Sequence, residues 1–308
     1  MTRAVVIINP LSGSGRRKRE IGQHAALARS ILGQHGVDAT VRETTAGGDA
    51  RTFAREAVAA GCSLVVAWGG DGTINEVASS LVHTGTALSI VPAGSGNGLA
   101  ADLAVPFDPA AALKMAATGR IMEIDAGQVN DCLFFNIAGV GVDAVVAARF
   151  AERGISRRGP LAYAHLSTIE LMRYKAQTYT LTIDGQAYEH RAMLVAIANG
   201  RQYGNRLLIA PGARLDDGRL EVVIVEPHSL LKIAWRLPAL FRGTLRTGWG
   251  IDMRSAGTLR VRTSGAIPFH VDGEPRLAQD ELVVLTHPRA LRVKVPVELV
   301  QGVSSRAT

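Results

Sequence analysis

Apolar positions follow two different rhythms along this chain. Up to about residue 124, short continuous apolar runs alternate with stretches in which apolar residues recur at helical spacing. AVVIIN (4–9) reads as a parallel strand buried on both faces, and residues 37–43, SLVVAW (63–68) and ALSIVP (87–92) read as further strands. Between them, residues 15–35 carry Ile21, Ala25, Ala28, Ile31 and Leu32 on one helical face before Gly36 closes the helix. A second helix is expected with Asp49 as its cap, and a third from Ile74. A strand–helix series of this kind predicts a parallel sheet with helices on both faces.

After Ile124 the pattern changes to strands separated by short polar turns, at Asn130-Asp131, Asp184-Gly185 and Asp217-Gly218. The expected fold is a three-layer α/β domain with a parallel sheet, residues 1–124 completed by 288–308, and a mainly antiparallel β-sandwich or flattened barrel, residues 125–287. Helical inserts are expected near 160–173 and 228–242.

Composition narrows the class. With 308 residues and 47% hydrophobic content, two globular domains with sizeable cores are affordable. No run approaches the roughly 18 apolar residues of a membrane span, and RAVVIINP opens as a strand with no signal-peptide layout, so a cytoplasmic protein is expected. Cys62 and Cys132 lie far apart in apolar runs and suggest neither a disulfide framework nor a zinc site. The net charge of +7, carried mostly by arginine, suits phosphate and lipid headgroups. No nucleic-acid partner is expected, and the sequence leaves a homo-oligomer open.

Three glycine-rich turns supply the candidate chemistry: NPLSGSG (9–15), GGDGTINE (69–76) and PAGSGNGLA (92–100). Each leaves the carboxyl end of an expected parallel strand, where open α/β sheets bind ligands and where backbone N–H groups can approach an anion. One such turn alone reads as ordinary chain reversal; three on one sheet edge read as a nucleotide site. None matches GxxxxGK[ST] or GxGxxG. Asp71 would repel phosphate unless a cation stood between them, which implies magnesium.

The order NPLSG, GGDGTINE, PAGSGN and, far downstream, HVDGEP (270–275) resembles the lipid kinase family that contains soluble bacterial diacylglycerol kinases and the sphingosine kinases. GGDGT alone is shared with NAD kinases, whose α/β domain is similar. The resemblance implies an ATP-dependent kinase that phosphorylates a lipid hydroxyl, with ATP and Mg2+ as cofactors. It places Asn9, Pro10, Ser12, Gly13 and Thr44 along the nucleotide, and Gly69, Gly70, Asp71, Gly72, Thr73, Asn75 and Glu76 around its phosphates. Gly94, Ser95 and Asn97 complete that set. GSGN stands closer to the sphingosine kinase pattern than to GTxND, so the lipid stays open between diacylglycerol and a sphingoid base.

The same resemblance gives Asp71, Asp272 and Glu274 the catalytic roles. Glu274 is expected as the proton acceptor and Asp272 as part of the magnesium and water network, although either carboxylate could take the proton. A plain Asp-Gly hairpin turn is the bland alternative. LDDG (215–218) resembles a structural magnesium site formed by the Asp217 side chain with carbonyls of Arg214 and Arg219. His270 reads as packed or assisting, and Trp68 as core or an adenine stacker. SLLKIAWRLPALFRGTLR (229–246) mixes large apolar and basic residues, which suits peripheral contact with an anionic inner membrane surface or packing on the β domain. A NAD kinase and an inactive nucleotide- or lipid-binding regulator are the rival readings.

Overall fold

The structure is a computed structural model that describes residues 2–12, 18–153, 167–203, 207–227 and 238–298, with main chain only at 18–21 and 153. Two compact units result, one running to Ile124 and resuming at Arg289, the other spanning Asp125–Pro288. The first is built from β1 (Thr2–Ile8), α1 (Lys18–Gln34), β2 (Val37–Glu43), α2 (Asp49–Ala59), β3 (Leu64–Gly69), α3 (Asp71–Leu81), β4 (Ala87–Pro92), α4 (Gly98–Asp102) and α5 (Pro109–Thr118). The chain leaves it along β5 (Arg120–Val129).

The second unit continues with β6 (Cys132–Phe134), β7 (Ile137–Gly141), α6 (Val142–Arg153), β8 (Gln177–Ile183), β9 (Gln186–Ala192) and β10 (Leu194–Ala198). It is completed by β11 (Leu220–Val225), β12 (Ile251–Ala256), β13 (Thr258–Arg262), β14 (Ile267–Val271) and β15 (Glu274–Ala278). The long strand β16 (Glu281–Val295) begins there and returns to the first unit.

In the first unit β2, β1, β3 and β4 lie side by side, all parallel, and Val293 of β16 pairs with Leu88 in the same sense. All six residues of β3 and all six of β4 are buried, as the continuous apolar runs demand of strands covered on both faces. The strand order reverses between β1 and β3. Loops leaving the carboxyl ends of those two strands diverge to opposite sides, which opens a crevice for a ligand.

The second unit stacks two antiparallel layers. One has the order β12-β11-β10-β7-β14-β15; the other contains β9, β8, β13 and the first part of β16. Alternation along β10 shows how the layers share residues: Val195 and Ile197 enter the core with Phe134, Tyr179 and Val261, while Ala196 and Ala198 join a second cluster with Ile209, Leu245 and Ile251.

Three local expectations change. The third helix begins at Asp71, not Ile74, because Gly70 in extended conformation already turns the chain into it. Asp49 is the first residue of α2 and Gly48, at φ 88, is its cap; the Asp49 carboxylate instead accepts N–H bonds from Thr45 and Ala46. These bonds, that of Thr45 first, hold its carboxyl below the usual range. Finally α6 was not expected, because its first apolar residues run on directly from β7. Gly141, at φ 107, separates them: a methyl there would lie 2.3 Å from the Met193 carbonyl oxygen. Of the two inserts expected, 160–166 and 228–237 lie outside the described residues, and helix is present at 167–173 and 238–242.

Candidate active site

Two constellations hold the candidate residues, one in each unit. In the first unit the three glycine turns meet at the carboxyl ends of β1, β3 and β4. The first turn is closed by Asn9, whose Oδ1 accepts the Leu11 N–H at 2.9 Å and whose carbonyl accepts the Ser12 N–H at 3.2 Å. Asn9 Nδ2 donates to Thr73 Oγ1 at 2.9 Å, and Ser12 Oγ accepts the Gly70 N–H at 3.2 Å. The first and second turns are thus tied together. Pro10 lies within the first turn, and Gly13 is outside the described residues. Thr44 is buried just beyond β2, its N–H bonded to the Ile8 carbonyl.

Backbones of the second and third turns touch, and only glycine permits it. A methyl on Gly94 would lie 2.7 Å from Gly70 Cα, and one on Gly69 would lie 2.6 Å from Thr73 Cβ. Asn97, buried and left-handed at φ 52, braces the third turn by accepting the Gly94 N–H on Oδ1.

Asp71 locks the two turns. Its Oδ2 accepts the Asn97 N–H at 2.9 Å and its Oδ1 the Gly98 N–H at 3.2 Å. The carboxylate therefore answers the backbone of the third turn, a role that the sequence, read for magnesium alone, did not announce. Each oxygen thus accepts one backbone N–H from the third turn. No group of three His, Cys, Asp or Glu side chains suited to a metal occurs among the described residues. Magnesium held here would take its other ligands from phosphate and water, as this ion ordinarily does.

Gly72 and Thr73 sit in the first turn of α3, whose N–H groups have no carbonyl one turn back to bond. Ser95, in the third turn between Gly94 and Asn97, is exposed, and Asn75 Oδ1 accepts the Ser79 hydroxyl. Glu76 faces elsewhere: its two oxygens accept the N–H groups of Gly48 and Arg51, so it caps α2 and is not available to phosphate. Trp68 is buried at 3% exposure with its ring 4.5 Å from that of His24, a core residue and not an open stacking face.

In the second unit, Asp272 and Gly273 form a two-residue turn between β14 and β15, at φ 47 and φ 87. The hairpin is thus real, a mirror-image turn of the type that suits twisted strands. Asp272 does more than reverse the chain. Its Oδ2 accepts the Phe135 N–H at 3.0 Å and its Oδ1 those of Asn136 and Ile137 at 3.0 and 3.1 Å. Glu274, next to the turn, is exposed, and its carboxylate has no partner among the described residues.

Behind this hairpin lies a group that the sequence did not reveal. His270 is buried, with Nε2 at 3.0 Å from Asp143 Oδ2 and Nδ1 at 3.3 Å from the Gly273 nitrogen. Tyr203 donates its hydroxyl to the same Asp143 oxygen at 3.0 Å. Tyr174 and Tyr179 lie near enough that the Asp143 charge adds to burial, the larger cause, in pushing both phenols up. Asp143 was hidden because α6 was not expected.

At the LDDG turn, Asp217 Oδ1 accepts the Arg219 N–H at 3.0 Å, and the Gly218 N–H donates to Asp125, a fully buried carboxylate, at 2.6 Å. Arg214 pairs with Asp216, while the Arg219 guanidinium pairs with Asp184 at 2.8 Å.

Comparison with known proteins supplies the family. Residues 3–129 match the model of the diacylglycerol kinase catalytic domain, and residues 136–295 match the YegS C-terminal NAD kinase beta sandwich-like domain. The chain belongs to the YegS-like lipid kinase family. A "Probable lipid kinase YegS-like" of Klebsiella pneumoniae (strain 342) is 32% identical, over 93% of this chain and 94% of its own. A "Probable lipid kinase YegS" of Salmonella arizonae is 31% identical, over 95% and 96%. A solved structure described as a "putative diacylglycerol kinase from Bacillus anthracis str. Sterne" shares the fold at a TM-score of 0.79 and 22% identity, covering 96% of this chain and 98% of that one. As a member of this family the chain is an ATP-dependent lipid kinase, a phosphotransferase acting on an alcohol. The α/β half and the antiparallel half correspond to the two matched models.

Proposed function

We propose that the three glycine turns bind the phosphates of ATP, that Asp71 holds the accompanying magnesium, and that Glu274 accepts the proton of the lipid hydroxyl. The observation that carries the nucleotide half is the convergence of the three turns at the strand-order reversal, with the first-turn amides of α3 among them. Asn9, Ser12, Gly69, Gly70, Gly72, Thr73, Gly94 and Asn97 shape that cradle. Magnesium would neutralise charge on the β- and γ-oxygens.

In the transfer, the lipid oxygen bonds to the γ-phosphorus as the bond from that phosphorus to the bridging oxygen breaks. ADP carries away the electron pair, and the proton passes to the acceptor carboxylate. Between the two downstream candidates, Glu274 is the better acceptor. Both Asp272 oxygens already hold three backbone N–H groups, whereas Glu274 is exposed and unengaged. Asp272 then serves to fix residues 135–137 under the turn. A structural ion at Asp217 with the Arg214 and Arg219 carbonyls remains part of the proposal; its removal by a chelator should lower the melting temperature of the wild type but not of Asp217→Ala.

Peripheral contact with an anionic inner membrane surface is the third element, in keeping with a cytoplasmic enzyme. Trp249 is 84% exposed at the tip of a two-residue turn, at φ 54 with Gly250 at φ 78. Gly248 and Ile251 exchange N–H bonds across it at 2.7 and 3.2 Å. A bulky residue in that conformation is strained, and strain of this sort collects at functional positions. Exposed Phe241, Arg242 and Arg246 lie in the same stretch, anchored by buried Leu245 and Ile251. Aromatic and basic side chains together suit the headgroup layer. Residues 229–237 of the segment first considered are outside the described residues.

The test is kinetic. Glu274→Gln should lose about 100- to 10,000-fold in turnover with ATP affinity unchanged, the range for removing a general base. Wild-type turnover in that variant would refute the assignment. Phosphorylation of NAD in place of any lipid would favour the NAD kinase alternative.

A further inference from the structure

The Asp-Gly turn of β14 and β15 carries Glu274, so whatever fixes the turn fixes the carboxylate. Asp184-Gly185 forms the same kind of turn, with φ 45 and φ 87, and is braced from outside by its own aspartate. The Asp272 turn has an additional brace from within. The Gly273 amide can only donate, so His270 Nδ1 must accept, and the ring carries its proton on Nε2. That proton points at Asp143 Oδ2, which also receives the Tyr203 hydroxyl, while Asp143 Oδ1 accepts the Ala144 N–H at 2.7 Å. The result is a chain running from α6 through Asp143 and His270 to the backbone of the turn.

Two further observations show that the arrangement is built. Gly139 stands opposite His270 in the β7–β14 ladder. A methyl on Gly139 would lie 2.1 Å from Asp143 Oδ2 and 3.1 Å from His270 Nε2, so the strand is bare where the pair crosses it. Both partners are withdrawn from water, the His270 side chain at 5% exposure and that of Asp143 at 12%. In such surroundings a charge-assisted bond is stronger than at the surface, and leaving either group unpaired is costly.

We infer that His270, oriented by Asp143, is a positioning residue for Glu274: its Nδ1 holds the Gly273 amide and thereby the aim of the carboxylate one residue on. This rests on the reading of Glu274 as the proton acceptor. The logic is that of an aspartate fixing a histidine tautomer, with the histidine acting on a backbone turn instead of on a substrate.

The experiment compares three substitutions by steady-state kinetics with ATP and a lipid substrate, alongside thermal unfolding. Asparagine places an amide oxygen where Nδ1 stands; glutamine places its amide near Nε2 and leaves Gly273 without an acceptor. His270→Asn should keep turnover within about tenfold of the wild type, whereas His270→Gln and His270→Ala should lose about 100-fold, the scale expected when a reacting group is displaced by about an ångström. KM for ATP should stay constant throughout. Nitrogen NMR of the wild type should show the Nε2-protonated ring.

Folded His270→Ala with wild-type turnover, or His270→Asn no better than His270→Gln, would overturn the inference. Loss of folding in all three would overturn it in favour of a purely structural histidine. Glu274→Gln run in parallel separates the two claims. If that variant is fully active, the acceptor reading has failed; if it is inactive while the histidine variants are active, only the positioning role has.

Discussion

Asp71, Asp184 and Asp272 show what a carboxylate does in this chain when it sits in a turn: each accepts backbone N–H groups from a neighbouring segment. For Asp71 this alters the expected phenotype. Asp71→Ala should abolish most turnover and also cost stability, about 1–3 kcal/mol, because two buried or half-buried amides lose a charged acceptor. A variant with unchanged melting temperature would show that the bonds to Asn97 and Gly98 do not hold the third turn. Asp184 offers a cleaner case. The Thr258 N–H first, then the Arg219 guanidinium and the Gly257 N–H, hold its carboxyl below the ordinary 3.8. The unfolded chain therefore binds the proton more readily, so this stabilisation is complete above the ordinary value and fades as pH falls through the lower folded one. Denaturant curves of wild type and Asp184→Asn should differ at neutral pH and begin to converge as pH falls below about 3.8. Parallel curves down to pH 2 would contradict the assignment. The identities of these residues were plain in the sequence; their partners, up to 137 positions away, were not.

At the scale of elements, continuous apolar runs located β1, β3 and β4 because strands buried on both faces need no alternation, whereas β2 is largely exposed. Asp-Gly pairs located two hairpins for an equally local reason, the left-handed backbone that both positions require. Helix α6 escaped because its apolar face merges with β7, and the boundary is a single glycine conformation. With it went Asp143, and so the meaning of His270. Trp249 escaped because tryptophan is a poor guess for a left-handed turn position; only the exposure of its ring against the buried Leu245 and Ile251 marks it. The membrane reading predicts that Trp249→Ala reduces sedimentation with vesicles of anionic phospholipid by about tenfold, with no change in turnover on short-chain dispersed lipid. Equal sedimentation of both proteins would remove this tip from the proposal.

For the whole molecule, the change of rhythm near Ile124 announced two units, and the four motifs announced the family. What stayed out of reach was the choice of lipid, since an acyl pocket is lined by residues no different from core. The proposed division of roles is nonetheless specific: nucleotide turns in the first unit, proton acceptor in the second. The most direct measurement is to incubate the purified protein with ATP, magnesium and a panel of diacylglycerols, monoacylglycerols, ceramide and sphingoid bases, and to read the products by mass spectrometry beside Glu274→Gln. The account predicts one class of lipid gaining a single phosphate in step with ADP release, and neither product from the variant above background. ADP release independent of lipid, or equal phospholipid from both proteins, would contradict it.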